Sequence, residues 1–321
     1  MPLPSPTARR HAPPIQHDDL RFWEGLAIAA LVANSMKPVV PVREYFTGTG
    51  YLTDWLSRIT AVTTVDAEDH RSPLAKTVGL TSFFRRDPLL DISKQRYERY
   101  IVAHAGLHHL SGPDTWDASD QQEAFVLACI DALSPGGTLL LVDVPKAGSQ
   151  LPEVQGGNTL FPSDIMRILR TELQSELRRS LGEAEQRYQF WSLYAAHLSQ
   201  SALLTDNLAL PQEVLEGFVG TYRSRGHLEC YRSLAEWLDW GKLRGDVAYE
   251  GGYLLTPWLF PCEASFESGI CELFGLDQWT GGPGRMLSAW ATHKWIRHCE
   301  ASGTLLVPWC LQFALFHRAS E

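Results

Sequence analysis

The chain has 321 residues, of which 45% are hydrophobic and 20% charged, an ordinary composition for a globular protein. Its 28 basic and 37 acidic residues give a net charge of −9, which offers no electrostatic footprint for a nucleic-acid backbone. The six cysteines show no C-x-x-C pair or zinc spacing, and the apolar run Leu26 to Ala33 is far shorter than the ~20 residues that span a bilayer. We therefore expect a soluble, reduced, cytoplasmic protein that binds small molecules, with no nucleic-acid partner, membrane segment or metal.

The N-terminal region, residues 1–40, is predicted to be an arm followed by one helix. Residues 1–17 are rich in proline and poor in apolar side chains, which favours a flexible arm. Asp18 or Asp19 can cap a helix in which apolar residues recur at helical spacing until Lys37 and Pro38 end it. The pattern predicts an amphipathic helix ahead of the first strand.

Residues 42–66 are the organising stretch of the chain. Strand formers from Val42 to Phe46 lead into a turn with Gly48 and Gly50, then a helix-like segment and a second strand that ends at Asp66. In a doubly wound α/β sheet, glycines after the first strand let the backbone approach a ligand, and an acid after the second strand can hold ribose hydroxyls. The stretch therefore predicts a nucleoside-containing cofactor.

Three further strands are predicted before residue 150. They cover Thr81–Phe84, Tyr100–His104 and Thr138–Val144, and a helix over Asp120–Leu133 is joined to the last strand by a turn at residues 134–137. The continuous apolarity of the last strand is typical of a central parallel strand covered on both faces. Strands alternating with helices predict a mostly parallel sheet over residues 41–150.

The remaining chain divides into two predicted parts. Residues 151–247 contain several helical patterns and are predicted to be a helical cap over the ligand crevice, because structureless loops longer than ~15 residues are uncommon. Residues 248–321 are predicted to return to the sheet and complete the core, with strand material from Thr304 to Phe316 that Pro308 interrupts.

Five segments, taken in chain order, resemble the class I S-adenosylmethionine-dependent methyltransferases. They are EYFTGTGYLT, VDAED, RRDPL, VAHAGLHHL and LSPGGTLLLVDV, which match the family's first motif and the ends of its second to fifth strands. The resemblance implies a Rossmann-like α/β fold with a doubly wound, mostly parallel sheet in the order 3-2-1-4-5-7-6, whose seventh strand is antiparallel. It also implies S-adenosylmethionine as co-substrate and an acceptor pocket formed by the helical insertion after the fifth strand.

The resemblance also implies which residues contact the cofactor. Glu44, Gly48 and Gly50 are implied to shape the loop around the methionine and ribose portions. Asp66 would accept hydrogen bonds from the ribose hydroxyls, and Asp87 from the adenine amino group. His104 and Ala105 would border the cofactor beside the fourth strand.

Phe46 departs from the family pattern, because it stands where the first glycine of the motif is usual. A ring there would crowd the cofactor's path or pack against the cofactor. Three functions remain open: methyl transfer to a small metabolite, a lyase that cyclises S-adenosylmethionine to azetidine-2-carboxylate and methylthioadenosine, and a non-catalytic binding protein. A nicotinamide-binding domain is disfavoured, since the turn lacks the third glycine of that fingerprint.

An acceptor that must lose a proton would need a general base. His108 and His109 follow the predicted fourth strand, and imidazole titrates in the useful range. Adjacent side chains point in different directions, so at most one of the two is expected to face the pocket. Tyr188 in the insertion is a further candidate. His104 with the histidine pair is a poor metal site, since no carboxylate ligand set lies nearby in sequence.

Overall fold

The computed structural model describes residues 22–36, 39–67, 81–110, 115–146, 158–160, 230–256, 258–260, 264–266, 297–298, 305–307 and 310–320, together with residues 167 and 262. The helices are α1 (Phe22–Ser35), α2 (Tyr51–Ser57), α3 (Pro88–Ile92), α4 (Thr115–Ala132) and α5 (Leu234–Lys242). The strands are β1 (Val42–Tyr45), β2 (Val62–Asp66), β3 (Thr81–Arg85), β4 (Glu98–His104), β5 (Leu133–Asp143), β6 (Asn158–Leu160), β7 (Val247–Leu255), β8 (Trp258–Phe260), β9 (Arg297–His298), β10 (Leu305–Val307) and β11 (Cys310–Arg318).

Eight strands form one sheet in the order β3-β2-β1-β4-β5-β11-β7-β6. Strand β11 is antiparallel to both of its neighbours, β5 and β7, whereas every other pair in this sheet is parallel. With β7 and β11 counted as the sixth and seventh strands, this is the order 3-2-1-4-5-7-6 of the class I methyltransferase fold. The sheet topology confirms the predicted fold class, and β6 extends the sheet by one edge strand.

The central strands are buried because helices cover both faces of the sheet. Ile101, Val102, Leu139 and Leu140 are fully inaccessible, as their continuous apolarity predicts. On one face α1 lies against α2, since a Cβ atom on Gly25 would fall 2.3 Å from the Trp55 ring. On the other face α4 neighbours both α3 and α5.

The predicted turn at residues 134–137 is a bulge within β5. Glu98 pairs with Leu133, whereas the next aligned pair is Tyr100 with Thr138, so the register shifts across this segment. Gly136 has a φ of +73°, a left-handed conformation that glycine adopts without steric penalty. The predicted turn thus lies between two paired positions, and the strand begins at Leu133 rather than at the predicted Thr138.

Helix α1 is buried on all sides rather than amphipathic. Every residue from Trp23 to Leu31 is buried, and this includes the carboxylate residue Glu24, which is 0% exposed. A helix of this kind lies inside the fold and not on its surface. The amphipathic character predicted for it was wrong, and its buried carboxylate requires partners inside the protein.

The predicted boundaries of the cap and of the C-terminal part stay predictions. Most of residues 151–247 lies outside the described residues, but β6 pairs with β7, and α5 packs on the sheet through Leu234 against Gly251 and through Gly241 against Phe316. In the C-terminal part, β7 and β11 belong to the large sheet. Pro308, where a break is expected, lies outside the described residues.

The described residues between Trp258 and Val307 belong to a separate small unit. Its three short strands are antiparallel in the order β8-β10-β9. Phe260 and Phe266 pack edge to face within it, with ring centroids 5.2 Å apart.

Candidate functional site

The loop after β1 is fixed to the end of β2 by one hydrogen bond. The Gly48 amide donates to Asp66 Oδ2 at 2.9 Å, and Gly50 ends the loop by starting helix α2. Both glycines are left-handed, with φ of +51° and +80°. The predicted glycine turn and the predicted acid are therefore in contact at the carboxyl ends of adjacent strands, where ligands bind in doubly wound sheets.

Phe46 packs between the two loops that border this crevice. Its ring centroid lies 5.2 Å from that of Phe125 on α4, and a Cβ atom on Gly106 would fall 2.2 Å from the Phe46 Cβ and Cγ atoms. Phe46 also has a φ of +63°, which is uncommon for a residue other than glycine. The missing side chain at Gly106 thus accommodates the ring that replaces the usual glycine of the motif.

Glu44 lies beneath the glycine loop and is 1% exposed. Its Oε2 atom accepts a hydrogen bond from Thr53 Oγ1 on α2 at 2.6 Å. Burial raises the pKa of the Glu44 carboxyl to about 8. The Thr53 hydrogen bond acts in the opposite direction, and the charge of Asp66 raises the pKa further. The carboxyl therefore holds α2 under the loop, and its burial favours the protonated form.

Asp87 follows β3, as predicted, and caps helix α3. Its Oδ1 atom accepts from the Leu90 amide at 2.9 Å, and the side chain is exposed. This is the usual role of an Asp that precedes a Pro at a helix start. One carboxylate oxygen is thus engaged by the helix, and a contact of Asp87 with adenine stays a prediction.

His104 ends β4 in a buried polar cluster with two partners from the N-terminal side. Its Nε2 atom lies 2.7 Å from Glu24 Oε1 and 3.0 Å from the Tyr51 hydroxyl, which also donates to Glu24. All three side chains are buried. The next residue, Ala105, has a φ of +48°, so both β1 and β4 are followed by non-glycine residues in left-handed conformations.

His108 forms a buried pair with Asp143 at the ends of β4 and β5. The imidazole Nδ1 lies 2.9 Å from Asp143 Oδ2, and the Val144 amide donates to Asp143 Oδ1 at 2.8 Å. Burial opposes ionisation of Asp143 and would raise its pKa. The pKa is nevertheless lowered, because this carboxylate is stabilised by the charge and hydrogen bond of His108, by the Val144 amide and by the charge of His104. An ionised carboxylate only accepts, so Nδ1 carries the proton and donates.

The two adjacent histidines differ in burial, and which of them faces the pocket stays a prediction. His108 is 7% exposed, whereas His109 is exposed. The arrangement of an imidazole oriented by a carboxylate through Nδ1 is suited to accept a proton at Nε2. Tyr188, the third candidate base, lies outside the described residues.

Several site residues were missed from the sequence. Asp143 ends β5 and is the next to last residue of the predicted strand, so the rule that selected Asp66 could have found it. Glu24 and Tyr51 gave no comparable signal, because their partner His104 is distant in sequence. The need for glycine at position 106 could not be predicted, because it arises from the contact with the Phe46 ring in the folded protein.

Within the described ranges the chain offers neither a metal-ligand cluster nor a membrane-spanning helix. No three or more His, Cys, Asp or Glu side chains of these residues group in a way that could hold a metal ion. Among the helices of this part of the chain, none combines the length and apolarity needed to cross a bilayer.

No protein-family model matches the sequence, and no curated protein does. Solved structures that resemble the chain include the plantazolicin methyltransferase BpumL in complex with S-adenosylhomocysteine (11% identity, 95% of this chain, 86% of that chain, TM-score 0.42). The YcgJ protein from Bacillus subtilis is also similar (13% identity, 93% and 99% coverage, TM-score 0.46). So is the CcbJ methyltransferase from Streptomyces caelestis (24% identity, 40% and 52% coverage, TM-score 0.33). These likenesses concern the fold, whose assignment rests on the strand order, and none supports the azetidine-forming lyase.

Proposed function

We propose that the protein is an S-adenosylmethionine-dependent methyltransferase that acts on a small metabolite. The observation that carries the proposal is the hydrogen bond from the Gly48 amide to Asp66, at the β1 and β2 ends of a sheet with this strand order. It holds the acid beside the loop through one carboxylate oxygen. The other oxygen is engaged by no described residue and would accept from the ribose hydroxyls.

The loop and its supports would position the cofactor. Gly48 and Gly50 bring backbone close to the ribose and methionine portions, and Glu44 holds α2 from below through Thr53. His104 and Ala105 would border the cofactor on the β4 side. The residues that bind the cofactor are thereby preorganised, which is how such an enzyme aligns two reactants.

His108 would act as the general base. In the transfer, the acceptor's nucleophilic atom attacks the methyl carbon of the sulfonium, the carbon–sulfur bond breaks, and its electron pair stays on the neutral thioether sulfur. The proton of the acceptor passes to His108 Nε2, while Asp143 stabilises the resulting imidazolium through Nδ1. A positioned base of this kind contributes roughly 10²–10⁴ in rate.

The two alternatives have less support. The lyase was suggested by Phe46, but this ring packs on Gly106 and Phe125. A non-catalytic protein would have no need for a buried His108–Asp143 pair beside the crevice, since buried ionisable pairs contribute little net stability.

The test is product formation from S-adenosylmethionine, followed by mass spectrometry. The protein alone should release no methylthioadenosine, and addition of a small-molecule extract below about 1 kDa should give S-adenosylhomocysteine. His108→Ala should lower this rate by roughly 10²–10³, because the base is lost. Lys94→Ala, which changes an exposed residue just after α3, is the control and should leave the rate unchanged. Methylthioadenosine from S-adenosylmethionine alone would instead establish the lyase.

A further inference from the structure

Three buried polar atoms beside the His108–Asp143 pair have no hydrogen-bond partner among the described residues. They are Arg232 Nε, Trp237 Nε1 and Gln312 Oε1. Trp237 and Gln312 are 1% and 0% exposed. Buried polar atoms are almost always paired in native proteins, so a group of three in one region requires an explanation.

Their positions relative to the proposed base are fixed by the fold. Gln312 on β11 is the register partner of Asp143 on β5, and its Nε2 donates to the Arg232 backbone oxygen at 2.7 Å. Arg232 and Trp237 surround one narrow gap together with His108 and Asp143. The gap is closed in this structure, so a group that pairs with these atoms can enter only when one of its walls moves.

The charges of the group favour an anion. Arg232 forms no ion pair with any described carboxylate, although the chain carries 37 acidic residues against 28 basic ones. The Asp143 oxygens already accept from His108 Nδ1 and the Val144 amide, and neither oxygen forms an ion pair with Arg232 among the described residues. The positive charge of Arg232 is therefore left for a ligand, and an arginine fork suits a carboxylate.

We propose that Arg232, Trp237 and Gln312 recognise the methyl acceptor, and that this acceptor is a small carboxylic acid with a neighbouring hydroxyl or N–H group. The inference rests on the proposed function, because it assigns the acceptor to the same base. Arg232 and Trp237 donate to the carboxylate, and Gln312 Oε1 accepts from the neighbouring group, which lies beside His108. Arg232 is the partly exposed member of the three, so its side chain is the wall that moves when the acid enters.

The probe is salicylate, which carries a carboxylate beside a hydroxyl, and salicylamide is its neutral counterpart. Calorimetric titration into the protein saturated with S-adenosylhomocysteine should give salicylate binding at least tenfold tighter than salicylamide binding. Arg232→Gln should remove this preference, and Trp237→Phe should weaken salicylate binding several-fold. Arg99→Gln is the matched control, because Arg99 also forms no ion pair with a described residue but lines a cleft at the other end of β4 and β5.

The affinity for S-adenosylhomocysteine is measured in parallel for each variant. Unchanged cofactor affinity with lost salicylate preference supports the assignment. Any of three results overturns the assignment. Salicylate does not bind at millimolar concentration, it binds no better than salicylamide, or it binds Arg232→Gln and Trp237→Phe as tightly as the wild type. A protein that binds no S-adenosylhomocysteine contradicts the proposed function itself, which is a separate readout. If Arg232→Gln does not fold, Arg232→Lys, which keeps the charge and loses the fork, should reduce the preference in part.

Discussion

Replacing Glu44 with glutamine should remove a pH dependence of stability that the wild-type protein shows between mildly acidic and mildly basic pH. Glu44 is 1% exposed, and its main partner is the Thr53 hydroxyl at 2.6 Å. Burial, assisted by the charge of Asp66, raises the pKa of its carboxyl from 4.5 to about 8, although the Thr53 bond acts in the opposite direction. The folded protein thus keeps a proton that the unfolded chain releases.

The direction of the effect follows from proton linkage. The folded pKa lies above the unfolded one, so the stabilising contribution is complete below pH 4.5 and is lost as the pH rises through about 8. With about 1.36 kcal/mol for each pKa unit, the difference of 3.5 between 4.5 and 8 corresponds to about 5 kcal/mol in total. Roughly 3 kcal/mol of this loss falls between about pH 5 and about pH 7.5.

The assay is urea unfolding at both pH values for the wild type and two variants. In Glu44→Gln the side chain cannot ionise. The unfolding free energy of the variant minus that of the wild type should therefore rise by roughly 3 kcal/mol from about pH 5 to about pH 7.5. Glu123→Gln, a neutralisation on a partly exposed part of α4, should follow the wild-type profile. Parallel profiles for Glu44→Gln and the wild type would refute the reasoning, since the carboxyl would then titrate alike in both states.

Two further predictions concern the ends of β4 and β5. Asp143→Ala should lower the unfolding free energy by about 2–4 kcal/mol at neutral pH, because it leaves a buried imidazole without its carboxylate. Since the Asp143 pKa is lowered in the folded protein, urea titrations should show this difference between variant and wild type shrinking as the pH falls through that pKa. A difference that is constant with pH would contradict this. Gly106→Ala should destabilise by about 1–3 kcal/mol, since its Cβ atom would lie 2.2 Å from the Phe46 side chain. Combined with Phe46→Gly, which suits the φ of +63° and removes the ring, it should lose most of that effect, and additive free energies in the double-mutant cycle would disprove the packing account.

Local patterns were sufficient to predict the crevice but not its supports. The glycine turn and Asp66 could be predicted because each follows a strand whose residues are recognisable in sequence, and parallel strands align their ends. Glu24 could not, since its contact with His104 depends on the burial of α1 against the sheet. A carboxylate within a short apolar helix gives no sign of which distant side chain it meets.

The acceptor side was less predictable for a different physical reason. The sequence could not distinguish His108 from His109 as the base, because adjacent histidines have the same chemistry and these two differ only in burial. Arg232, Trp237 and Gln312 carry no motif, and their common feature is the lack of a partner, which is a property of the folded state.

The measurement that tests the central claim most directly is calorimetric titration of S-adenosylhomocysteine into the wild type and Asp66→Ala. The wild type should bind saturably, and the variant should bind about 10–100-fold more weakly, because charge-assisted hydrogen bonds to the ribose hydroxyls are lost. Asp54→Ala, which removes a carboxylate paired with Arg58 on α2, is the control and should bind as the wild type does. Absence of binding, or equal affinity of Asp66→Ala and the wild type, would contradict the assignment of this crevice as the cofactor site.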